Sequence, residues 1–232
     1  MRKIRHHVGV VIIEAEKTGE FLVSRYDETY PTKCFRGAIN LIGGNHEKKD
    51  KSPLEILLRE INQELSSNQE YINDRKASLK DVIGDWQPPQ EIKSFASEGD
   101  ILLIKNEIIS NIVPYRDYLC SFPSFEKRAE FDALQSVFVS KIKQNIFELV
   151  RRNLNEDKNI KNEGFATICN LKDIREGRIL CAWAVPCILS DYKNVVIPNP
   201  YNVKIKHIGK PRNSILDYTN EFEYKIPTYT GD

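Results

Sequence analysis

"GGNHEKKDKSPLEILLREINQELSS", residues Gly43–Ser67, sets two glycines ahead of a charged loop and then an apolar-striped helix. Ser52 is a good N-cap, Pro53 suits the first helical position, and Glu55 completes an S-x-x-E capping box. Leu54, Leu57, Leu58, Ile61 and Leu65 recur at helical spacing and predict the buried face, with Arg59, Glu60, Gln63 and Glu64 mostly off that stripe. Glu60 and Glu64 stand one turn apart. Like charges so placed cost a helix about 0.2–0.5 kcal/mol unless something positive lies between them. On an isolated helix, R-E-x-x-x-E reads as a solvated charged face. In this setting, behind a strand that ends in two glycines, either solvent screens the pair or a cation does.

Working outward, "HVGVVIIEA" is β-branched and nearly continuous, as in a buried strand, and "FLVSRY" is its partner across the "EKTGE" turn. "PTKCFRG" reads as a loop, and "AINLIGG" as a third strand ending at the diglycine. Residues 68–99 are mixed, with "QPPQ" a breaker. "DILLIKNEII" is compatible with a strand and "YRDYLCSF" is a stronger candidate. In residues 124–152, Leu134, Phe138, Ile142, Ile146 and Leu149 or Val150 fall at helical intervals. They predict one or two amphipathic helices, an insertion that packs on the domain or forms a dimer contact. "FATICNL" reads as a strand, and "GRILCAWAVPCILSDY" as a buried helix interrupted near Pro186. From Lys193 onward the chain is rich in Pro, Asn and Tyr, an irregular tail with short strands such as "YNVKIKHI". The order of elements predicts an α/β layered domain with a mixed sheet over residues 1–192, and an extension, 193–232, packed on it.

Composition narrows the function classes. The chain has 232 residues, 41% of them hydrophobic and 29% charged, which is enough for an ordinary core. Its net charge of +1 removes the general electrostatic case for a nucleic-acid binder or a membrane-surface protein. Cys34, Cys120, Cys169, Cys181 and Cys187 are odd in number and contain no CxxC, so they read as reduced, mostly buried thiols. The basic start, "MRKIRHH", leads into an apolar run that Glu14 ends, which favours a core strand over a signal peptide. No run approaches the length of a membrane span. The expectation is a cytoplasmic protein. His6, His7, His46 and His207 share no ligand spacing and read as surface or strand residues. Trp183 reads as core, or as an aromatic that borders a cleft and stacks on a base.

The stretch "GGNHEKKDKSPLEILLREINQEL" resembles the Nudix box of the Nudix hydrolases. Gly44 matches its opening glycine, Arg59 its arginine, Glu60 the first helical glutamate, Ile61 the apolar position and Glu64 the last glutamate. The loop before Arg59 is one residue longer than the pattern, so Asp50 or Glu47 stands for the early glutamate. Gln63 replaces the middle glutamate and Ser66 the closing glycine. With the flanking elements the resemblance covers roughly residues 5–192. It implies a Nudix-like α/β/α sandwich that cleaves the diphosphate of a nucleoside diphosphate linked to another group.

By the same resemblance Mg²⁺ or Mn²⁺ is held by Glu60 and Glu64, with Gln63 and the Gly44 carbonyl as further ligands. Glu60 is also a candidate general base, and Arg59 orients the glutamates. Glu163, then Glu156, are the downstream candidates for a base or extra ligand. The departures at Gln63, Ser66 and the loop leave open an impaired domain that binds a nucleotide or a protein partner without turnover. A homodimer is also possible.

Overall fold

The computed structural model describes residues 2–27, 30, 32–66, 94–126, 129–161 and 165–224. A short strand β1 (Arg2–Ile4) precedes β2 (His6–Ala15), whose β-branched run is buried almost throughout. After the turn at Gly19 comes β3 (Phe21–Arg25), then two short strands, β4 (Ile39–Asn40) and β5 (Ile42–Asn45). Helix α1 (Pro53–Glu64) follows, with the Ser52 side chain accepting from the Glu55 N–H. The Glu55 carboxylate accepts from the Lys51 N–H at 2.8 Å. The capping box is therefore displaced by one residue from its usual reciprocal form. Next are β6 (Ser94–Phe95), α2 (Glu98–Ser110), β7 (Ile112–Phe122), β8 (Phe131–Ile142), α3 (Gln144–Asn155), β9 (Lys158–Asn159) and β10 (Phe165–Cys169). The chain continues through α4 (Leu171–Arg175), α5 (Val185–Lys193), β11 (Lys204–Gly209) and β12 (Phe222–Tyr224).

The main sheet runs β10-β3-β2-β8-β7-β11, with β4 paired to β3 and β5 to β2. It is mixed: β2 and β8 are parallel from His6↔Ala133 to Ala15↔Ile142, and the other pairings are antiparallel. Because successive strand residues face opposite ways, Val10 and Ile12 join one core with Ile188 and Leu189 of α5. Val11 and Ile13 join the other with Ile61 of α1, Ile104 of α2 and Phe147 of α3. The result is a three-layer α/β/α sandwich. After Lys193, β11 pairs with β7 and β12 pairs with β1 in a separate parallel ribbon. Among the described residues no helix is long and apolar enough to cross a membrane.

Three expectations are corrected. Residues 131–142 are not helical; they form β8, between β2 and β7. Leu134, Phe138 and Ile142 are spaced by four, a multiple of two as well as roughly one helical turn, so they also share one face of a strand. Only the end of that stretch is helical, in α3. Conversely, "DILLIKNEII" lies in α2: Ser97 caps it by accepting from the Asp100 N–H, and Ile101, Ile104 and Ile108 form the buried face. Its two short apolar clusters, ILLI and II, are too brief to set a period, and the cap decides. Finally, Pro186 begins helix α5 rather than interrupting one, since proline lacks the N–H that only later positions need. The stretch before it is not helical: Cys181 forms an isolated bridge with Ile39, the Ile39 N–H donating to the Leu180 carbonyl at 2.8 Å and the Ala182 N–H to the Ile39 carbonyl at 2.8 Å, and Trp183 and Ala184 then turn into the helix. "QPPQ" lies outside the described residues.

Candidate functional site

Two glycines, Gly9 and Gly44, bring α1 unusually close to the sheet, and a third, Gly43, sets β5 close against β2. A Cβ on Gly9 would fall 2.8 Å from the Pro53 carbonyl oxygen and 3.1 Å from the Leu57 nitrogen, so β2 meets helix backbone there. Gly43 has φ +138°, and a Cβ on it would lie 2.1 Å from the Gly9 oxygen. A Cβ on Gly44 would lie 2.3 Å from the Glu60 carboxyl carbon. Side-chain-free strand surface is the space into which α1 presents its acids.

The face that α1 buries therefore differs from the leucine stripe. Leu54 is exposed, while Ile56, Leu57, Glu60, Ile61 and Glu64 are buried. Residues 53, 56/57, 60/61 and 64/65 follow the helical period, so both glutamates belong to the packed side. Glu60 is 4% and Glu64 7% exposed. Carboxylates this dry need charged or hydrogen-bonding partners, and each has them.

Arg59 serves the first. Its Nη1 donates to Glu60 Oε1 at 2.6 Å and to Gln63 Oε1 at 3.0 Å. Its Nη2 donates to the Asn45 carbonyl at 2.6 Å and to Asp50 Oδ2 at 2.9 Å, and Nε donates to Asp50 Oδ1 at 3.1 Å. Glu47 Oε1 stands 3.1 Å from Nη1. Burial works against this guanidinium's charge, but the hydrogen bond to Asp50 and the field of Glu60 outweigh it and hold its pKa above the ordinary arginine value. Both candidates for the early acid, Glu47 and Asp50, thus meet at Arg59. The Glu47 N–H also donates to Asp50 Oδ2 at 2.8 Å, which fixes the lengthened loop.

Glu64 is held from two other sides. Its Oε1 accepts from the Gly43 N–H at 3.2 Å, and its Oε2 forms an ion pair with Lys161 Nζ. The Lys161 side chain is fully buried. Sequence reasoning missed this residue: a lone lysine in a polar loop looks like any solvated one, and only the β9–β10 connection delivers it to Glu64. Asn159 sets the backbone there, donating to the Lys161 carbonyl at 2.9 Å and accepting from the Lys161 N–H at 3.3 Å.

Gly44 belongs to the site, opposite Gly9 in the β2–β5 ladder and against Glu60. The remaining candidates are dispersed. Glu156 caps α3 and pairs with Lys158 at 2.6 Å. Glu163 lies outside the described residues. Trp183 sits before α5, not on it, with φ +51°; its indole N–H donates to the Tyr26 hydroxyl at 3.1 Å and its ring meets Phe35. His7 is buried with Nε2 2.8 Å from Ser136 Oγ, and burial, aided by nearby His46, lowers its pKa to about 3. Among the described residues no disulfide joins the five cysteines, and Cys120, Cys169 and Cys181 are buried. A cleft of about 750 Å³ opens beside Asp191 and Asn194 at the end of α5, and no residue around the diglycine lines it.

Among the described residues no group of three or more His, Cys, Asp or Glu side chains is placed to hold a metal ion. The donor chemistry at the diglycine nevertheless suits one hard divalent ion. Mg²⁺ commonly uses one or two carboxylates and completes its shell with water and substrate phosphates. The Lys161 ammonium already supplies positive charge at Glu64.

No family model and no curated protein matches the chain.

Proposed function

We propose that this chain is a Nudix-like, divalent-metal-dependent hydrolase acting on a nucleoside diphosphate linked to another group. One observation carries the reading: Glu60 and Glu64, one turn apart and buried, both face the side-chain-free strand of Gly43 and Gly44. Burying two like charges on one face is costly without positive partners, and the reading adds a bound cation to Arg59 and Lys161 in that role.

In this reading Glu60, Glu64 and the Gly44 carbonyl hold Mg²⁺ or Mn²⁺, and the ion, when bound, offsets diphosphate charge and lowers the pKa of water. Arg59 fixes the carboxylate of Glu60 through its fork and ties it to the Asp50 loop, so the acid does not reorient as substrate arrives. Gln63 turns its oxygen to Arg59, contributing geometry without charge. The narrow space above Gly44 keeps the carboxylate against the strand.

The test is incubation of the purified protein with ADP-ribose, nucleotide sugars, dinucleoside polyphosphates and nucleoside triphosphates. Release of a nucleoside monophosphate or of phosphate should require Mg²⁺ or Mn²⁺ and stop with EDTA. Absence of turnover on the whole panel, or turnover unchanged in Glu64→Gln, overturns the reading.

A second reading, binding of a nucleotide without turnover, is favoured by Gln63 and by the Lys161 ammonium at Glu64. It expects a nucleotide to raise Tm with no product formed. Gln63→Glu separates the two, since gained turnover marks the native site as charge-deficient.

A further inference from the structure

We infer that Lys161 is the resident counter-ion of Glu64 and that a divalent ion gains this carboxylate only by displacing the lysine side chain. The inference deepens the metal-dependent reading above and rests on it. Its starting point is that both Glu64 oxygens are engaged: Oε1 by the Gly43 N–H, Oε2 by Lys161. The two partners differ in mobility. Gly43 is fixed in the β2–β5 ladder by a backbone conformation open to glycine and by its close approach to Gly9. Lys161 has a fixed backbone too, bracketed by the Asn159 side chain, whose oxygen also accepts from the Ala166 N–H at 3.4 Å. Its ammonium, however, ends a flexible four-carbon stem. The ammonium is the exchangeable partner.

Charge sets the direction of the effect. A doubly charged ion beside an ammonium in a poorly screened site is repelled more strongly than it would be in water. Ion entry and withdrawal of the ammonium are therefore one event. Lys161 is in this sense a positioning residue. It keeps Glu64 paired and in place when no ion is present, and it sets a threshold for loading.

The experiment is calorimetric titration of the full chain with MnCl₂, for wild type, Lys161→Met and the double variant Lys161→Met/Glu64→Gln. Folding is checked by circular dichroism. Lys161→Met is expected to tighten Mn²⁺ binding at least tenfold, and Glu64→Gln in that background to remove the gain. Equal or weaker binding in folded Lys161→Met overturns the inference.

Should Lys161→Met not fold, amine acetylation of wild type followed by peptide mass spectrometry decides. Lys161 should react at least tenfold faster with Mn²⁺ present, relative to exposed Lys204. An unchanged ratio overturns it. The two readings fail separately. Unaltered Mn²⁺ binding with normal hydrolysis sinks the role of Lys161 alone, whereas tighter binding in Lys161→Met without turnover in either protein sinks the hydrolase alone.

Discussion

The carboxyl carbon of Glu60 lies only 2.3 Å from where a Cβ on Gly44 would stand, so strand and helix are matched at these two residues. Gly44→Ala is expected to push this carboxylate aside. The obstacle ends a flexible side chain and is not backbone, but moving it strains the Arg59 pair, so we predict a moderate loss of Tm. Under the proposed hydrolase reading, turnover should drop about 10²-fold, the usual penalty of a misplaced reacting group. Wild-type turnover in Gly44→Ala would remove Glu60 from the chemistry.

Gly43→Ala should behave in the opposite manner. Its Cβ meets backbone, the Gly9 oxygen at 2.1 Å, and its φ of +138° is closed to L side chains. Strain of about 1–3 kcal/mol and overpacking of about 1–3 kcal/mol both fall on the fold. Denaturant titration should register a loss of at least about 2 kcal/mol, and a smaller loss would mean that β5 shifts away from β2 without difficulty.

Arg59→Lys should be far from conservative. The guanidinium reaches Asn45, Asp50, Glu60 and Gln63 at once, a fork that an ammonium does not reproduce. Arg59→Met leaves two nearly buried acids without their main partner, which costs about 3–5 kcal/mol for a broken buried pair. Urea unfolding of both variants checks this, with Arg59→Lys expected between Arg59→Met and wild type.

The buried histidine gives stability a pH dependence. His7 has a folded pKa of about 3, below its unfolded value, so between those values the unfolded chain takes up a proton that the folded one refuses. Stability is thus fully present above the unfolded pKa and is lost as pH falls toward the folded one. The slope is about 1.4 kcal/mol per pH unit, or about 2 kcal/mol between pH 6.5 and 5. Asp117, which shares Ser136 as a neighbour, is pushed up by burial and works in the reverse sense. His46 lies across the His7 ring at 6.4 Å. His7→Asn isolates the histidine: its Tm should vary less than wild type between pH 7 and 5, and an identical slope would assign the effect elsewhere.

The helix start should also be measurable. Ser52→Ala removes the acceptor for the Glu55 N–H and should cost about 1 kcal/mol in chemical denaturation. A neutral result would mean that water replaces the hydroxyl at this exposed cap.

Local signals were the legible part of this fold. The Ser52–Pro53 start and the β-branched run of β2 each carry their structure within a few residues and appear where the sequence puts them, whereas the diglycine lies inside β5, which runs on to Asn45, and not at a strand end. Strand β8 was not legible because a spacing of four suits a helix and a strand alike, and the parallel partner that settles the choice lies in β2. The buried face of α1 was misread for a related reason. Leucines suggested one stripe, but the space over Gly44 drew in Glu60 while Leu54 remained in solvent. Lys161 carried no signal at all, because its burial is created by the placement of the β9–β10 connection.

The parallel pairing of β2 with β8, in which His6 faces Ala133, has a kinetic consequence. Half the chain must be looped out before the middle of the sheet closes, and non-local pairing of this kind slows folding. During synthesis the first strands leave the ribosome long before their parallel neighbour exists. They wait with an apolar edge uncovered, a species prone to association with its own kind.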